Sequence, residues 1–403
     1  MRRFSVALVT GLLLFGQAPG QNRTVTDAEV MRVHRSMLLI DTHNDVPSRT
    51  VEGFGIGSHS GTGHTDVARL KEGGVGAQFF AVYVAASYVN GNRSANRTLQ
   101  MIDTVRNDII GRYPNDFMLA TSAKDIEEAH RRGKIAALMG IEGGHAIEDS
   151  LRLLRDYYDL GVRYMTLTHS NTNNWADSSG DIDDAKVKHH NGLTDFGKQV
   201  VREMIRLGMM VDISHVADKT FWDALETSKA PIFASHSSCR ALTNHARNMT
   251  DDMIIALAKK GGVVQVNFYC GFISQKFRDN DAGDTKALDA RMAKETAGKN
   301  LSEPDRQVLS EKLRQEMNLS RATLADVVDH IDHIRKIAGI DAIGIGGDFD
   351  GVSCTPIGLE DVSKYPSLTR ALLEKGYSAE DIRKIYGGNF LRVMRAVEAA
   401  AGK

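Results

Sequence analysis

The chain has 403 residues, of which 42% are hydrophobic and 25% are charged, and its formal net charge is −1. This near-neutral balance argues against a nucleic-acid partner, which would favour a strong basic excess. The length allows one large α/β domain or two smaller domains, and the composition is that of a globular protein.

Residues 1–20 predict a signal peptide. Two arginines near the start are followed by an apolar stretch at residues 6–15, which is too short to span a bilayer, and small residues precede a predicted cut before Gln21. No later stretch is long and apolar enough for a membrane helix. We therefore expect an exported protein, periplasmic or secreted, that is soluble once the signal peptide is removed.

Short apolar runs alternate with helical patterns along the rest of the chain. The runs predict strands at residues 38–41, 77–84, 136–141, 165–167, 209–213, 232–235, 263–267 and 342–346. Helices are predicted among them at residues 99–112, 150–160, 196–207, 218–227 and 251–259. Eight βα units without a repeat or a linker predict one (β/α)8 TIM-like barrel, an α/β fold, over residues 21–403. A dinucleotide-binding sheet is excluded because no strand is followed by a glycine-rich phosphate loop.

One segment departs from this alternation. Residues 276–319 are strongly charged and poor in apolar residues, which predicts a helical insertion between the seventh and eighth strands. We interpret it as a solvated surface insertion in preference to a functional lid, although it borders the mouth of the barrel and could narrow it.

The three cysteines add no support for export. Cys239, Cys270 and Cys354 are far apart and odd in number. An oxidising compartment permits a disulfide without requiring one, and free cysteines are among the most buried residues. We therefore interpret all three as buried free thiols.

Histidines and acidic residues stand where the predicted strands end. In a barrel of this kind the chemistry collects at the carboxyl ends of the strands. Six of the eight predicted strands end in such residues, namely His43, Asp45, Glu142, His169, His215, His236, Asp348 and Asp350. Crowded carboxylates repel one another, and a metal ion compensates that repulsion. Imidazole and carboxylate ligands without cysteine suit zinc, manganese or iron.

Five of these residues predict a metal centre. His43 and Asp45 are two apart in an extended segment, so both side chains face the same way. Together with Glu142, His215 and His236 they make too many ligands for one tetrahedral zinc with an open position, but they suit two ions that share a carboxylate. We expect Glu142, on a central strand, to be that bridge.

Other histidines are given structural roles. His145 follows Glu142 by three residues and is expected to orient its loop. His330 and His333 lie on a predicted helix before the last strand, away from the mouth of the barrel, and His64 lies in a glycine-rich loop. We assign no ligand role to any of these four.

The motifs around the site resemble the renal (membrane) dipeptidase family of zinc peptidases, peptidase family M19. In chain order they are DTHND at 41–45, GIEGGH at 140–145, LTHSN at 167–171, DISHV at 212–216, SHSS at 235–238 and GGDFDG at 346–351. The resemblance runs from about Val33 to Val397, which is nearly the whole mature chain. It implies a barrel with two zinc ions, one held by His43, Asp45 and Glu142 and the other by Glu142, His215 and His236.

The resemblance also implies roles for residues around the metals. His169 matches the histidine that polarises the substrate, and Arg247 matches the arginine that binds the carboxylate of a dipeptide. Tyr83 and Tyr269 match tyrosines that contact the substrate, and Asp348 matches the acidic residue that handles protons. On this interpretation a hydroxide between the zinc ions attacks the peptide carbonyl, and a homodimer is a further expectation.

Three functions follow as hypotheses. The first is a dizinc dipeptidase. The second is a sister amidohydrolase that cleaves another small amide, such as an N-acyl amino acid or a β-lactam. The third, a binding protein without activity, is disfavoured because no expected ligand or proton-handling residue is missing.

Overall fold

The computed structural model describes residues 24–57 and 61–402, so the predicted signal peptide lies outside the described residues. The described chain contains nine strands, all paired in parallel. They are β1 Leu39–Asn44, β2 Val75–Tyr83, β3 Phe117–Leu119, β4 Ile135–Glu142, β5 Val162–Thr166, β6 Met210–Asp212, β7 Phe233–Ser237, β8 Val263–Val266 and β9 Ile343–Ile345.

Eight of these strands close into a barrel. The order around the sheet is β2-β1-β9-β8-β7-β6-β5-β4, and β4 pairs with β2 to complete the ring. This closure confirms the predicted (β/α)8 barrel. The remaining strand, β3, pairs only with the start of β4, where Phe117 is opposite Ile135. Its three residues are too few to give a periodic signal, and the sequence did not predict it.

Helices connect the strands, and their apolar faces share one hydrophobic core with the sheet. The α-helices of the described chain are Asp27–Arg35, Pro47–Thr50, Val67–Glu72, Ser94–Asp103, Ala123–Arg131, Leu151–Asp159, Asp195–Leu207, Asp218–Thr227, Asp251–Lys259, Cys270–Ile273, Gln275–Thr296, Glu303–Glu316, Leu324–Ala338, Tyr365–Glu374, Ala379–Arg383 and Asn389–Ala400. None of them is both long and apolar enough to cross a membrane. Shorter 3-10 and π segments lie at Ala86–Val89, Thr104–Gly111, Gly144–Ile147, Ile340–Ala342, Val362–Lys364 and Lys384–Gly388.

Local sequence explains where the helices start and stop. The helix Asp195–Leu207 begins after Thr194, whose hydroxyl accepts the backbone N–H of Gly197, and it ends at Gly208, which has a φ of 86°. A threonine cap satisfies an otherwise unpaired donor, and glycine adopts the left-handed conformation without a steric penalty. These signals place the helix within one residue of the predicted range 196–207.

Three strands continue past their predicted carboxyl ends, β4 by the single residue Glu142. β1 continues to Asn44 and β7 to Ser237, so His43 and His236 lie within strands and not after them. Sequence patterns end a strand where polar residues begin. Here the polar residues stay extended because they are buried and hydrogen-bonded at the end of the barrel.

The insertion contains two helices, Gln275–Thr296 and Glu303–Glu316, which pack on each other through Leu288, Met292 and Leu313. Most of its surface is exposed, as expected for a solvated segment. Glu311 is an exception, since it is only 5% exposed and binds residues of the barrel loops. The insertion is therefore anchored at the mouth of the barrel.

The interpretation of three free thiols is wrong for two of them. Cys270 and Cys354 form a disulfide, with their Cα atoms 5.6 Å apart, and only Cys239 is free and buried among the described residues. Cys270 follows β8, and Cys354 lies in the loop after β9, the neighbouring strand. The barrel brings the two cysteines together across 84 residues of sequence, and such a pairing cannot be read from spacing alone.

Candidate metal centre and substrate cavity

The five predicted metal ligands lie together at the carboxyl end of the barrel. His43 belongs to β1 and Asp45 follows it, Glu142 is the last residue of β4, His215 follows β6, and His236 belongs to β7. Parallel strands of a barrel all end at the same face, which is why ligands from four strands meet.

Glu142 lies at the centre of this group. Its Oε1 atom is 3.0 Å from Nε2 of His215 and 3.3 Å from Nε2 of His236, whereas its Oε2 atom is 3.5 Å from Nε2 of His43. Nε2 of His43 is in turn 3.1 Å from Oδ2 of Asp45. The two oxygens of Glu142 thus face different histidines, which is the arrangement expected of a carboxylate shared by two ions.

Hydrogen bonds behind the ligands fix the direction of the rings. Nδ1 of His43 is 2.9 Å from the hydroxyl of Tyr164, and Nδ1 of His236 is 2.7 Å from the hydroxyl of Ser235. Each contact leaves Nε2 directed at Glu142, as partners of metal-binding histidines commonly do. The Tyr164 ring fits here because β4 has a glycine at position 140, where a Cβ atom would collide with the ring.

The donor set fits metal ions. Groups of three potential ligand atoms lie within 4.8 Å of one another, namely His43 with Asp45 and Glu142, Glu142 with His169 and His215, and His43 with His236 and Asp348. Imidazole and carboxylate donors at this spacing suit a first-row divalent metal.

The protonation states of the histidines and of Glu142 agree with metal binding. Burial lowers the pKa of His215 and of His236 well below the ordinary value, with Arg247 and other histidines adding to the effect. Both rings are therefore neutral near pH 7, and a neutral imidazole is what binds a metal. Burial would raise the pKa of Glu142, but the charge on His43 and the hydrogen bonds from His215 and His236 outweigh it, so that pKa is held well below the ordinary range.

The pKa of His43 indicates that the site favours a positive charge. Burial would lower its pKa, but Tyr164, Glu142 and Asp45 together raise it well above the ordinary value. The two carboxylates thus favour a positive charge between them. A metal ion bound at Nε2 would supply that charge in place of the proton.

Asp348 and His169 lie beside the ligands. Burial, together with the carboxylates of Asp45 and Glu142, raises the pKa of Asp348 to about 8, and Oδ2 of Asp348 accepts a 2.7 Å hydrogen bond from Asn267. Nε2 of His169 is 3.8 Å from Oε1 of Glu142, and this side chain is more exposed than the ligands, at 19%. A carboxyl group that titrates near neutral pH is suited to proton transfer.

A cavity of about 740 Å³ opens above these residues. Its floor carries predicted site residues, namely Asp45, Glu142, His169, His215 and Asp348. The predicted tyrosines are also in its lining, and Tyr83 is placed there because it pairs with Glu142 across β2 and β4. The insertion supplies an outer wall through residues 300–304 and Gln307, as expected for a segment that borders the mouth of the barrel.

Arg247 is placed differently from the other predicted residues. It does not line the cavity and is 6% exposed, and its guanidinium donates to the hydroxyl of Ser237 at 2.6 Å and to the carbonyl of His236 at 2.7 Å. Burial lowers its pKa to about 10, so it stays charged at neutral pH. Its Nε atom has no hydrogen-bond partner within the described part of the chain. A positive charge therefore lies behind His236 and not in the open cavity.

Some residues of the site were missed by the sequence analysis. Asn267, Tyr164 and Ser235 hold Asp348, His43 and His236, respectively. Asn267 could have been found, because it ends the predicted strand 263–267. Tyr164 carried no signal, since it is a strand residue whose hydroxyl reaches β1 only in the folded barrel.

A closed parallel barrel with histidines and carboxylates gathered at its carboxyl end defines a metal-dependent hydrolase. The chain belongs to the membrane dipeptidase family, peptidase family M19, whose sequence model matches residues 27–403. This membership makes it a metallo-dipeptidase and confirms the resemblance drawn from the motifs.

Solved structures agree with this assignment. The chain is 25% identical to the probable dipeptidase PvdM from Pseudomonas aeruginosa, with a TM-score of 0.77, and the match covers 93% of this chain and 99% of that one. It is also 25% identical to a protein described as dipeptidase AC, a metallo peptidase of family M19, with a TM-score of 0.72 and coverage of 91% and 100%. A metallo peptidase from Rhodobacter sphaeroides, liganded with a phosphinate mimic of the dipeptide L-Ala-D-Ala, has the same fold at 24% identity, with a TM-score of 0.71 and coverage of 90% and 99%.

Proposed function

We propose that this protein hydrolyses the peptide bond of dipeptides with two zinc ions that share Glu142. His43 and Asp45 would complete one ion's ligands, and His215 and His236 would complete the other's. The observation that carries the proposal is the position of Glu142, whose two oxygens face different histidines at 3.0 to 3.5 Å. A single metal ion would not require a carboxylate whose two oxygens face different histidines.

The residues around the ligands suit amide hydrolysis. Zinc in this centre would lower the pKa of water and so supply a nucleophile at neutral pH. Asp348 would accept a proton and pass it to the leaving amine. Burial lowers the pKa of His169, so that side chain is a neutral imidazole that can donate an N–H to the developing oxyanion.

Arg247 provides the preference for a free carboxylate. Its buried charge lies next to His236, and a planar guanidinium pairs well with a carboxylate. Because its Nε atom has no partner among the described residues, the side chain has a donor left for a substrate once it turns toward the cavity. Tyr83 and Tyr269 would contact the dipeptide from the cavity wall.

The test compares the zinc-loaded wild type with the variant Arg247→Lys. For L-Ala-L-Ala, kcat/KM is expected to fall by about 10- to 100-fold, mainly through KM, because lysine keeps the positive charge but loses the planar two-pronged donor that pairs with a carboxylate. For L-alanyl-L-alaninamide, which has no carboxylate, wild type and variant should be equally poor. Arg278→Lys, which changes an exposed arginine of the insertion, is the control.

Two outcomes would count against the proposal. Equal losses on the dipeptide and its amide would make Arg247 a structural residue only. If the wild type cleaves neither L-Ala-L-Ala nor L-Ala-D-Ala but hydrolyses N-acetyl-L-alanine or a penicillin, the function is that of the sister amidohydrolase.

We also propose that the chain is exported after removal of residues 1–20. The support is the charged start and the short apolar stretch of that segment. Sequencing the amino terminus of the mature protein tests this, with a start near Gln21 expected. The homodimer implied by the family resemblance stays a prediction.

A further inference from the structure

Two polar side chains in the cavity wall are buried and incompletely bonded. Asp350 is 4% exposed and Ser48 is 7% exposed, and both line the cavity. Within residues 24–57 and 61–402, neither Oδ2 of Asp350 nor Oγ of Ser48 has a hydrogen-bond partner. Buried polar atoms are nearly always paired because leaving one unpaired costs free energy. These two atoms therefore indicate a ligand that supplies hydrogen-bond donors.

The remaining contacts of Asp350 fix its carboxylate in place. Its Oδ1 accepts the backbone N–H of His64 at 2.9 Å, and its own backbone N–H donates to Nδ1 of His64 at 2.8 Å. The guanidinium of Arg49 is 4.0 Å from Oδ1 and is shared with Asp305 at 3.6 Å. Oδ2 is thus left for another partner, and the proposed mechanism gives it none.

A second carboxylate reaches the same cavity from the insertion. Glu303, the first residue of the helix Glu303–Glu316, lines the cavity and forms no ion pair with any described residue. The other acid of the outer wall, Glu52, is already paired with Arg97 at 3.7 Å. The outer cavity therefore has an excess of negative charge, which favours a cationic group.

We propose that Asp350, Ser48 and Glu303 form a subsite for a cationic group on the first residue of the substrate. The inference rests on the proposed dipeptidase function. A dipeptide whose carboxylate is drawn toward Arg247, beside His236, would extend its first residue into the cavity, whose lining includes Asp45 and Asp350. Asp350 is close to Asp45, since a Cβ atom added to the next residue, Gly351, would collide with Oδ2 of Asp45.

The group is an ammonium or a guanidinium, and it has two possible sources. It is either the α-ammonium that every dipeptide carries or the side chain of an amino-terminal lysine or arginine. Either would donate to the free Oδ2 of Asp350 and to the hydroxyl of Ser48. Glu303, on the insertion, would add longer-range attraction.

The test uses Asp350→Asn and Glu303→Gln with matched pairs of substrates. Asparagine keeps the Oδ1 that accepts the N–H of His64 and replaces the charged Oδ2 with an NH2 group, which cannot accept a hydrogen bond from a cation. Glu303 is exposed, so neither change should disturb folding. L-Lys-L-Ala is compared with L-norleucyl-L-alanine for the side chain, and L-Ala-L-Ala with L-lactoyl-L-alanine for the α-ammonium. Glu316→Gln, at the far end of the same helix, is the control.

Asp350→Asn is expected to lower the ratio of kcat/KM within one of these pairs by at least about tenfold, and Glu303→Gln by a smaller factor. A lower ratio for L-Lys-L-Ala over L-norleucyl-L-alanine identifies the side chain as the group that binds the subsite. A lower ratio for L-Ala-L-Ala over L-lactoyl-L-alanine identifies the α-ammonium. Unchanged ratios in both pairs, with zinc content and thermal unfolding unaltered, would overturn the subsite.

The two proposals can fail separately. If the wild type cleaves none of the four compounds, the dipeptidase proposal fails, and calorimetric titration with L-lysinamide tests the subsite without turnover. Binding that is at least about tenfold weaker in Asp350→Asn supports the subsite. Equal binding by wild type and variant overturns it.

Discussion

Replacement of Glu142 by glutamine is expected to remove metal from both halves of the centre. The two oxygens of Glu142 face His215 and His236 on one side and His43 on the other. Glutamine keeps one oxygen, loses the charge and has an NH2 group in place of the other oxygen, so it cannot bridge two ions. With the nucleophile lost, kcat/KM for L-Ala-L-Ala should fall by at least about 1000-fold, which is roughly 4 kcal/mol of transition-state stabilisation.

The measurement is zinc content by elemental analysis beside steady-state kinetics. Glu226→Gln, which changes an exposed glutamate of the helix Asp218–Thr227, serves as the matched control and should leave both unchanged. A Glu142→Gln variant that keeps two zinc ions and most of its activity would contradict the bridging role.

Replacement of Glu311 by glutamine is expected to loosen the insertion. The carboxylate of Glu311 contacts Nε2 of His64, and its other oxygen accepts the backbone N–H of Thr355 at 3.1 Å. Removing one partner of a buried ion pair leaves the other charge uncompensated, at a cost of about 3 kcal/mol. We expect faster hydrogen exchange over residues 275–316 and a lower free energy of unfolding.

The effect should depend on pH in a defined way. Burial would lower the pKa of His64, but Glu311 raises it from 6.5 to about 9, so the stability from this group is complete below pH 6.5 and is lost as pH rises through about 9. Burial would raise the pKa of Glu311, but His64 lowers it from 4.5 to about 2, so the stability from that group is complete above pH 4.5 and is lost as pH falls through about 2. The pair therefore stabilises most between pH 4.5 and 6.5.

Denaturant unfolding of wild type, Glu311→Gln and the control Glu316→Gln across pH 5 to 10 tests this. The difference between wild type and Glu311→Gln should shrink as pH rises from about 6.5 to about 9 and stay small above that. Glu316→Gln, which changes an exposed residue, should follow the wild type throughout. A difference that stays constant across the range would show that charge on His64 is not the cause.

The sequence predicted those features of the fold and of the site that follow directly from a parallel barrel. Apolar runs alternating with helical patterns predicted the fold, and strands that all end at one face made the neighbours of His43 and Glu142 predictable from position alone. The family motifs then supplied roles for Asp348 and His169, which the structure places beside the ligands.

What the sequence did not predict depends on contacts between distant segments. The disulfide between Cys270 and Cys354 needs two neighbouring strands, and the contact of His64 with Glu311 joins residues 247 apart. His64 lies in a glycine-rich segment, so the sequence predicted a loop residue and gave no sign of its contact with Glu311. The free oxygen of Asp350 is likewise visible only once its other bonds are known.

The central claim is that Glu142 joins two zinc sites into one dipeptidase centre. The most direct test is to strip metal from purified protein beginning at Gln21, titrate zinc back, and follow hydrolysis of L-Ala-L-Ala and L-Ala-D-Ala. The account predicts activity that returns and saturates near two zinc ions per chain. Full activity at one zinc per chain, or with no zinc bound, would contradict it.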